Sequence, residues 1–431
     1  MEAVRREILP AVSLTHIRTD KFKTGCLSVN LLTQLDRETA SMNALIPQVL
    51  RRGTARHPDM QSLNDALDLL YGAQLEPVTR TRGEIQLTGF CATFVEDRWL
   101  PEGSRVLEQI CALMGELLLA PNTRGGLLLP AYVESEQDKL LEQIRGAVND
   151  KRSYALRRLR ELMCPYEAYA VDRLGDESSA ENLDYKKLTR QYRTLLASSP
   201  VEIVCVSGAD TDRLIGALTE ALVTMPRGEI DENLGTDIRM NAVEDHVRSF
   251  TEELEVTQGK LAVGFRLGDC MEDPDEAVLR VLNAVYGGSV TSKLFTHVRE
   301  ELSLCYYASS SVNLQKGIMT VSSGIEFDRY DQVLGEIYAQ LDAVRAGDIT
   351  AQELDSAKKY VASGLVGVED SALALEGFYL TNALEGMDCT PAELAAAVET
   401  VTADEVAEAA AGIEADAVYF LRGSKEADHE A

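Results

Sequence analysis

Residues 292–310 read SKLFTHVREELSLCYYASS and combine the pattern of a helix with that of a strand. Apolar residues recur at helical spacing up to a bend at residues 302–303, and the polar face of the helix carries Arg299. A strand follows and is entered through Tyr306, seven positions after Arg299. This spacing can bring a guanidinium and a phenol together as two donors for a carbonyl oxygen that gains negative charge. The alternative is an ordinary surface arginine and an ordinary strand tyrosine.

Four short motifs in and before this segment resemble the second-domain signature of the M16 peptidases, the family of insulinase, pitrilysin and the mitochondrial processing peptidase. They are Tyr286-Gly287-Gly288-Ser289, Ser292-Lys-Leu-Phe295, Val298-Arg-Glu300 and Leu304-Cys-Tyr306. The resemblance implies that Arg299 and Tyr306 hold a substrate peptide near a zinc ion that the first domain binds. Gly287, Gly288 and Ser289 are expected to form a flexible turn, because a phosphate-binding loop precedes a helix rather than following one.

The composition excludes several classes of partner. The chain has 431 residues, 45% of them hydrophobic and 26% charged, as in a globular protein with a well-filled core. A formal net charge of −28 argues against nucleic acids and acidic membranes, since both bind basic surfaces. No stretch approaches ~18 uninterrupted apolar residues, and the N-terminal residues lack the pattern of a signal peptide. Eight scattered cysteines without a C-x-x-C pair indicate reduced thiols, so a cytoplasmic location is expected.

Two similar halves are expected from the order of the strand and helix patterns. The strand pattern VEIVCVSGA at residues 201–209 corresponds to the closing pattern DAVYFLRGS at 416–424. In the same way, YGAQLEPVTRTRGEIQLTGF at 71–90 corresponds to YYASSSVNLQKGIMTVSSG at 306–324. We therefore predict an α+β fold of two homologous tandem domains, each a mixed or antiparallel sheet covered by helices, as in the M16 family. Residues 1–224 would form the first domain, the polar segment 225–247 a linker, and residues 248–431 the second domain.

The zinc site of active M16 enzymes is missing from the first half. In those enzymes a His-x-x-Glu-His motif on a helix precedes a Gly-Thr pair, which here is Gly53-Thr54. Alignment on this pair puts Ala44 and Gln48 at the two histidine positions and Pro47 at the position of the glutamate base. Methyl, carboxamide and proline side chains cannot replace imidazoles and a carboxylate, so no metal and no catalytic residue is expected on this chain. Pro47 is also expected to place the start of the helix, or a kink, near Ala44.

Two further positions of the first half bear on the lost activity. Glu136 is the best match to the third zinc ligand of the family, although a lone glutamate on a helix is ordinarily a solvated carboxylate. Active relatives have an Asn-Ala pair in the strand that adds to the substrate peptide, whereas this chain has Glu76-Pro77. Proline removes a backbone donor, so strand addition of a peptide would be weakened here. No two of the five histidines have the spacing of metal ligands: His16, His57, His246, His297 and His429.

The retained donors and the missing zinc leave three functional hypotheses. The first is a non-catalytic, substrate-binding subunit of a heterodimeric M16 zinc peptidase, whose partner carries His-x-x-Glu-His and the zinc, while Arg299 and Tyr306 bind the peptide. The second is a peptide-binding or scaffold protein without hydrolysis, and the third is an autonomous metallopeptidase with unusual ligands. Residues 150–183 also resemble the bacterial M16 homologue associated with aminopentanol modification of elongation factor P, which implies a link to that modification.

Overall fold

The computed structural model describes residues 2–423, so that His429 lies outside the described residues. The chain forms two compact units, each built from several segments of the sequence. Of the described residues, the first unit comprises 2–146 together with Val171–Gly235 and Val368–Asp388. The second unit comprises Ala147–Ala170, Thr236–Gly367 and residues 389–423. Segment 225–247 contains no helix or strand, and its role as a linker between tandem domains stays a prediction.

The first unit contains a six-stranded sheet in the order β1-β2-β8-β3-β5-β4 and a separate two-stranded pair, β6-β7. Its strands are β1 (Glu2–Leu9), β2 (Val12–Arg18), β3 (Thr24–Gln34), β4 (Gln74–Arg82), β5 (Ile85–Val95), β6 (Thr123–Arg124), β7 (Leu127–Leu128) and β8 (Val201–Ser207). Its helices are α1 (Ala40–Leu50), α2 (Met60–Leu69), α3 (Val106–Leu119), α4 (Pro130–Gly146), α6 (Glu177–Glu181), α7 (Tyr185–Ser198), α8 (Thr211–Leu222) and α12 (Ala372–Glu385).

The second unit contains a five-stranded sheet in the order β11-β12-β10-β13-β9. Its strands are β9 (Arg248–Leu254), β10 (Gly259–Arg266), β11 (Cys305–Asn313), β12 (Ile318–Ile325) and β13 (Glu414–Gly423). Its helices are α5 (Lys151–Met163), α9 (Glu276–Asn283), α10 (Tyr330–Arg345), α11 (Ala351–Val368), α13 (Pro391–Thr400) and α14 (Ala403–Ala411). Two π-helical segments complete it, the first at Ala284–Gly288 and the second at Leu294–Glu301.

The two sheets repeat one topology, which confirms the predicted duplication and the α+β fold. Without β1, the first sheet runs β2-β8-β3-β5-β4, and the second runs β9-β13-β10-β12-β11 in the corresponding order. In each sheet one pair is parallel, β2 with β8 and β9 with β13, and the other neighbours are antiparallel. By this correspondence β4 and β11 are equivalent strands, and both lie at a sheet edge.

Each sheet is covered on one face by a helix from the opposite half of the sequence. In the first unit, Leu375 and Tyr379 of α12 join the apolar cluster that contains Val204 and Val206 of β8. In the second unit, Leu159 of α5 belongs to a cluster with residues of β10, β12 and β13. Burial of such side chains contributes roughly 1.5–3 kcal/mol each, so both helices are integral parts of their units. The sheet that each of these helices covers depends on residues far away in the sequence.

Three elements differ from, or go beyond, what the sequence pattern predicts. A continuous helical pattern spans residues 132–163, but a short 3₁₀ turn at Ala147–Asn149 divides them into α4 and α5, with Asp150 as the N-cap of α5. Residues 2–9 form strand β1, for which no element is predicted from the sequence. Helix α1 begins at Ala40, so a start near Ala44 was wrong: Pro47 lies inside the helix, where it removes one intrahelical donor while the neighbouring side chains are held in the core. The alternative, a kink near Ala44, stays a prediction.

None of the helices within residues 2–423 combines the length and the apolar character needed to cross a lipid bilayer.

Candidate functional site

The segment that carries Arg299 is a π-helix rather than an α-helix. It is anchored by the buried side chains of Leu294 and Val298, while Arg299 lies on the exposed side. At its end, the Leu304 amide donates to the Val298 carbonyl at 3.0 Å, and Ser303 has a φ of +49°. A non-glycine residue in this left-handed region costs of order 1–3 kcal/mol, and π-helical turns are frequent at functional sites. The junction between the helix and β11 therefore has two features that are typical of a binding segment.

Tyr306 projects from a β-bulge at the start of edge strand β11. The pairing of β11 with β12 passes from Cys305 opposite Ile325 directly to Tyr307 opposite Gly324, so Tyr306 is the extra residue. A bulge redirects the side chain of its extra residue, and the side chain of Tyr306 is 59% exposed. Its hydroxyl donates a hydrogen bond to the Glu326 carboxylate, and this bond raises the pKa of Tyr306.

Arg299 is exposed on the π-helix that precedes this strand. Its guanidinium stacks on the ring of Phe295, one helical turn earlier, with 4.6 Å between the guanidinium carbon and the ring centroid. Within residues 2–423 Arg299 forms no ion pair, whereas the neighbouring carboxylate of Glu301 is held by His297 at 2.7 Å. The two predicted substrate-binding side chains thus flank one junction, but each has its own partner: an aromatic ring for Arg299 and a carboxylate for Tyr306.

The glycine-rich motif before this segment is a packing feature. Gly287 and Gly288 close the first π-helix, and the turn begins only at Ser289, so the predicted flexible turn was wrong for the two glycines. A Cβ at Gly287 would lie 2.8 Å from the backbone nitrogen of Ser310, and one at Gly288 would lie 2.9 Å from the carbonyl oxygen of Asn283. Both glycines are needed because backbone atoms approach them closely.

The three positions that match the zinc-binding motif lie together on α1. Ala44 and Pro47 are buried against the apolar core, and Gln48 is half-buried. None of these side chains is of a type that binds zinc in structural or catalytic sites, where the ligands are cysteine, histidine, aspartate or glutamate. Among residues 2–423, no group of three or more histidine, cysteine, aspartate or glutamate side chains is arranged to hold a metal ion.

Glu136 is not the solvated carboxylate that its sequence context suggested. Its side chain is 6% exposed, and its Oε1 atom lies 3.1 Å from Nη1 of Arg52 and 2.8 Å from Nζ of Lys139. Arg52 follows the end of α1 and also stacks on the ring of Tyr132 at 5.2 Å. The glutamate that best matches the third zinc ligand is therefore neutralised by two cations of the protein itself. Arg52 is a residue that motif matching missed, because its partner is 84 positions away.

Replacing Arg52 with methionine is expected to lower the free energy of unfolding by about 1–3 kcal/mol. The change leaves a nearly buried carboxylate with only the ammonium of Lys139, which is itself 54% exposed. Urea denaturation followed by circular dichroism measures the effect. Lys139→Met is the matched control and should cost less than ~1 kcal/mol, since it removes the solvated partner. Equal losses in the two variants would contradict the assignment of Arg52 as the main counterion.

The strand that adds to the substrate in active relatives is an edge strand here as well. Within residues 2–423, β4 pairs only with β5, and Pro77 lies opposite Phe90 in this pair. Proline is tolerated at a sheet edge because the outer side of the strand has no neighbour that would need the missing backbone N–H. The position therefore fits the fold, and weak peptide pairing at β4 stays a prediction.

Comparison with known proteins identifies the family of this chain. The family model described as Peptidase M16 inactive domain matches residues 182–361. The probable inactive metalloprotease YmfF of Bacillus subtilis (strain 168) is 30% identical over 411 residues, which cover 95% of this chain and 95% of that protein. The chain belongs to the M16 peptidase family. Within the family it is a non-catalytic member, as both descriptions and the missing zinc motif indicate.

Solved structures of M16-like proteins have the same fold. A conserved protein from Enterococcus faecalis V583 superposes with a TM-score of 0.88 at 27% identity, covering 98% of this chain and 99% of that chain. The peptidase M16 inactive domain from Pseudomonas fluorescens superposes with a TM-score of 0.77 at 14% identity, with the same coverage of the two chains. The second similarity concerns the fold alone.

Proposed function

We propose that this chain is the substrate-binding, non-catalytic subunit of a heterodimeric M16 zinc peptidase. The partner would be an M16 homologue with an intact His-x-x-Glu-His motif, and it would hold the zinc ion. In this assembly Arg299 and Tyr306 would donate hydrogen bonds to the peptide, and the zinc held by the partner would supply polarisation of the scissile carbonyl. The main support is the contrast between the two sites: the metal-ligand positions on α1 are apolar or amide, yet the two donors remain exposed.

The surroundings of the donors suit a role in binding rather than in packing. A tyrosine that served only as strand filler would not need a bulge, and an arginine that served only solubility would not need a π-helix to present it. The bond from Tyr306 to Glu326 fixes the phenol near the strand in the absence of peptide. Peptide binding would replace this bond with one to a peptide carbonyl, so Glu326 sets how readily Tyr306 becomes available.

Co-expression with a zinc-bearing M16 homologue from the same host tests the proposal. The tagged chain is purified gently, its partners are identified by mass, and the isolated complex is assayed on a mixture of peptides. We expect an equimolar complex that cleaves peptides, loses activity on zinc chelation, and has far lower activity without this chain. A monomer or self-dimer, with full activity of the homologue alone, would contradict the proposal. A stable complex that binds peptides without cleaving them would support the scaffold hypothesis instead.

The link to aminopentanol modification of elongation factor P is a separate prediction. It depends on the resemblance of residues 150–183 and on no feature of the described geometry. A cytoplasmic location likewise stays a prediction. Deletion of the coding sequence in the native host, followed by mass measurement of elongation factor P, tests the link directly. An unchanged modification pattern would remove it without affecting the proposed role in a peptidase.

A further inference from the structure

Two cysteines face each other beneath α12 in the first unit. Cys26 lies on β3 opposite Thr93, and Cys91 lies on β5 opposite Ser28, so the two are diagonal neighbours on one face of the sheet. Their Sγ atoms are 3.7 Å apart, while a disulfide needs about 2 Å. Both cysteines belong to the apolar cluster formed with Leu375 and Tyr379 of α12. A disulfide would therefore need the sulfurs to approach by a further ~1.7 Å, through side-chain rotation together with a small shift of the two paired strands.

The two thiols have different environments. The hydrogen bond between the two sulfurs lowers the pKa of Cys91, and the nearby guanidinium of Arg80 acts in the same direction against the effect of burial. The same pairing raises the pKa of Cys26. Cys91 is 9% exposed and Cys26 is fully buried. Cys91 therefore has the properties of an attacking thiol, with lower pKa and some access to solvent, and Cys26 those of a resolving thiol.

Arg80 is held in place beside this pair. Its Nη1 atom lies 2.9 Å and 2.8 Å from the two carboxylate oxygens of Glu376 on α12, and the Glu376 side chain is 2% exposed. Glu376 opposes ionisation of Cys91, while Arg80 favours it. For five other cysteines burial is the largest effect and raises the pKa, even where an arginine or lysine nearby acts in the opposite direction: Cys111, Cys164, Cys205, Cys270 and Cys305.

We propose that Cys26 and Cys91 form a reversible dithiol–disulfide site that a hydroperoxide oxidises. The Cys91 thiolate attacks one peroxide oxygen, the O–O bond breaks, and Cys91 becomes a sulfenic acid while the other oxygen leaves as water after protonation. The Cys26 thiol then attacks the sulfenic sulfur, the S–O bond breaks, and a second water leaves. In total two thiols lose two electrons and two protons, and one hydrogen peroxide is reduced to two waters. The disulfide joins β3 to β5, the strand that holds edge strand β4.

Mass spectrometry of the peroxide-treated protein tests the proposal. The reduced, folded protein is treated with hydrogen peroxide at a level that leaves its circular dichroism unchanged, and free thiols are then blocked. We expect a fall in intact mass of about 2 Da before blocking, a Cys26–Cys91 cross-linked peptide in the non-reduced digest, and its disappearance with dithiothreitol.

Matched variants identify the pair. Cys91→Ser and Cys26→Ala are each expected to abolish the cross-link, whereas Cys111→Ser, which removes another buried thiol of the first unit, is expected to leave it unchanged. Phenylarsine oxide, a reagent for closely spaced dithiols, provides a second measurement: wild type and Cys111→Ser should bind it, and the other two variants should not. A wild-type protein that forms no such cross-link, or that oxidises Cys91 only to a sulfinic acid, would overturn the proposal.

Discussion

Glu167→Gln is expected to lower the free energy of unfolding of the second unit by about 3–5 kcal/mol. The Glu167 carboxylate accepts hydrogen bonds from Nη2 of Arg266 at 2.6 Å and from Nζ of Lys316 at 2.7 Å. Both cationic side chains are completely buried, and the carboxylate is 1% exposed. A neutral amide would remove the negative charge that both buried cations contact, and Asp416, the other carboxylate at Arg266, already binds Arg248 as well. Burial of uncompensated charge is among the costliest consequences of one substitution.

Urea denaturation of wild type and variant measures this loss, and Glu177→Gln is the control. Glu177 pairs with Arg145 at 2.6 Å, but both side chains are about half exposed, so that solvent screens the pair. We expect the control to cost less than ~1 kcal/mol. Similar midpoints for the two variants would mean that the buried charges do not depend on Glu167.

The Glu167 carboxylate also leads us to expect that the protein loses stability at acidic pH. Burial raises the pKa of Glu167, but the hydrogen bonds from Arg266 and Lys316 outweigh it and lower the pKa to about 2, from an ordinary value of 4.5. Because the unfolded chain binds the proton more readily, the stabilisation is complete above pH ~4.5 and is lost as the pH falls toward 2. Thermal unfolding between pH 6 and pH 2.5, roughly the range over which this linkage acts, should show a steeper decline for wild type than for Glu167→Gln. Parallel curves would contradict this.

Tyr306→Phe is expected to reduce peptide turnover by the reconstituted heterodimer by about 10²-fold, without affecting its assembly. The phenol is 59% exposed on a bulge, so that removing its hydroxyl leaves no buried polar group unsatisfied. A donor that acts on developing negative charge contributes mainly to the transition state, so kcat should fall more than the apparent affinity for peptide.

Steady-state kinetics of the purified complex test this expectation, with Tyr360→Phe as the control. Tyr360 is 54% exposed on α11 and belongs to the same unit, but it lies outside the junction. Unchanged turnover in Tyr306→Phe, or an equal loss in both variants, would remove Tyr306 from the proposed machinery. Tyr306 donates a hydrogen bond to the Glu326 carboxylate, and Glu326→Gln should weaken this bond. When Tyr306→Phe is added to that variant, turnover should still fall as it does in the wild-type background.

Several features could be predicted from sequence because the residues that decide them are neighbours along the chain. Helix α3 runs from Val106 to Leu119, the limits that its apolar periodicity predicts. The capping boxes of Thr390 with Glu393 and of Thr402 with Glu405 are present, since each needs only four consecutive residues. The missing zinc motif is equally local, because two histidines four positions apart share one helix face and neither is present.

Short-range patterns thus determined the repeated α+β architecture, the absence of the zinc motif, and the positions of Arg299 and Tyr306 at one junction. Only the tertiary structure decided which charges and thiols are paired. Arg52 meets Glu136, Glu167 meets Arg266, and Cys26 meets Cys91 across separations of 84, 99 and 65 residues. Periodicity and capping describe interactions within a few turns of one element, and no local pattern specifies which distant element completes a buried charge pair. The partners come together only when distant elements pack against one another. A charge that becomes buried in this packing needs a partner nearby.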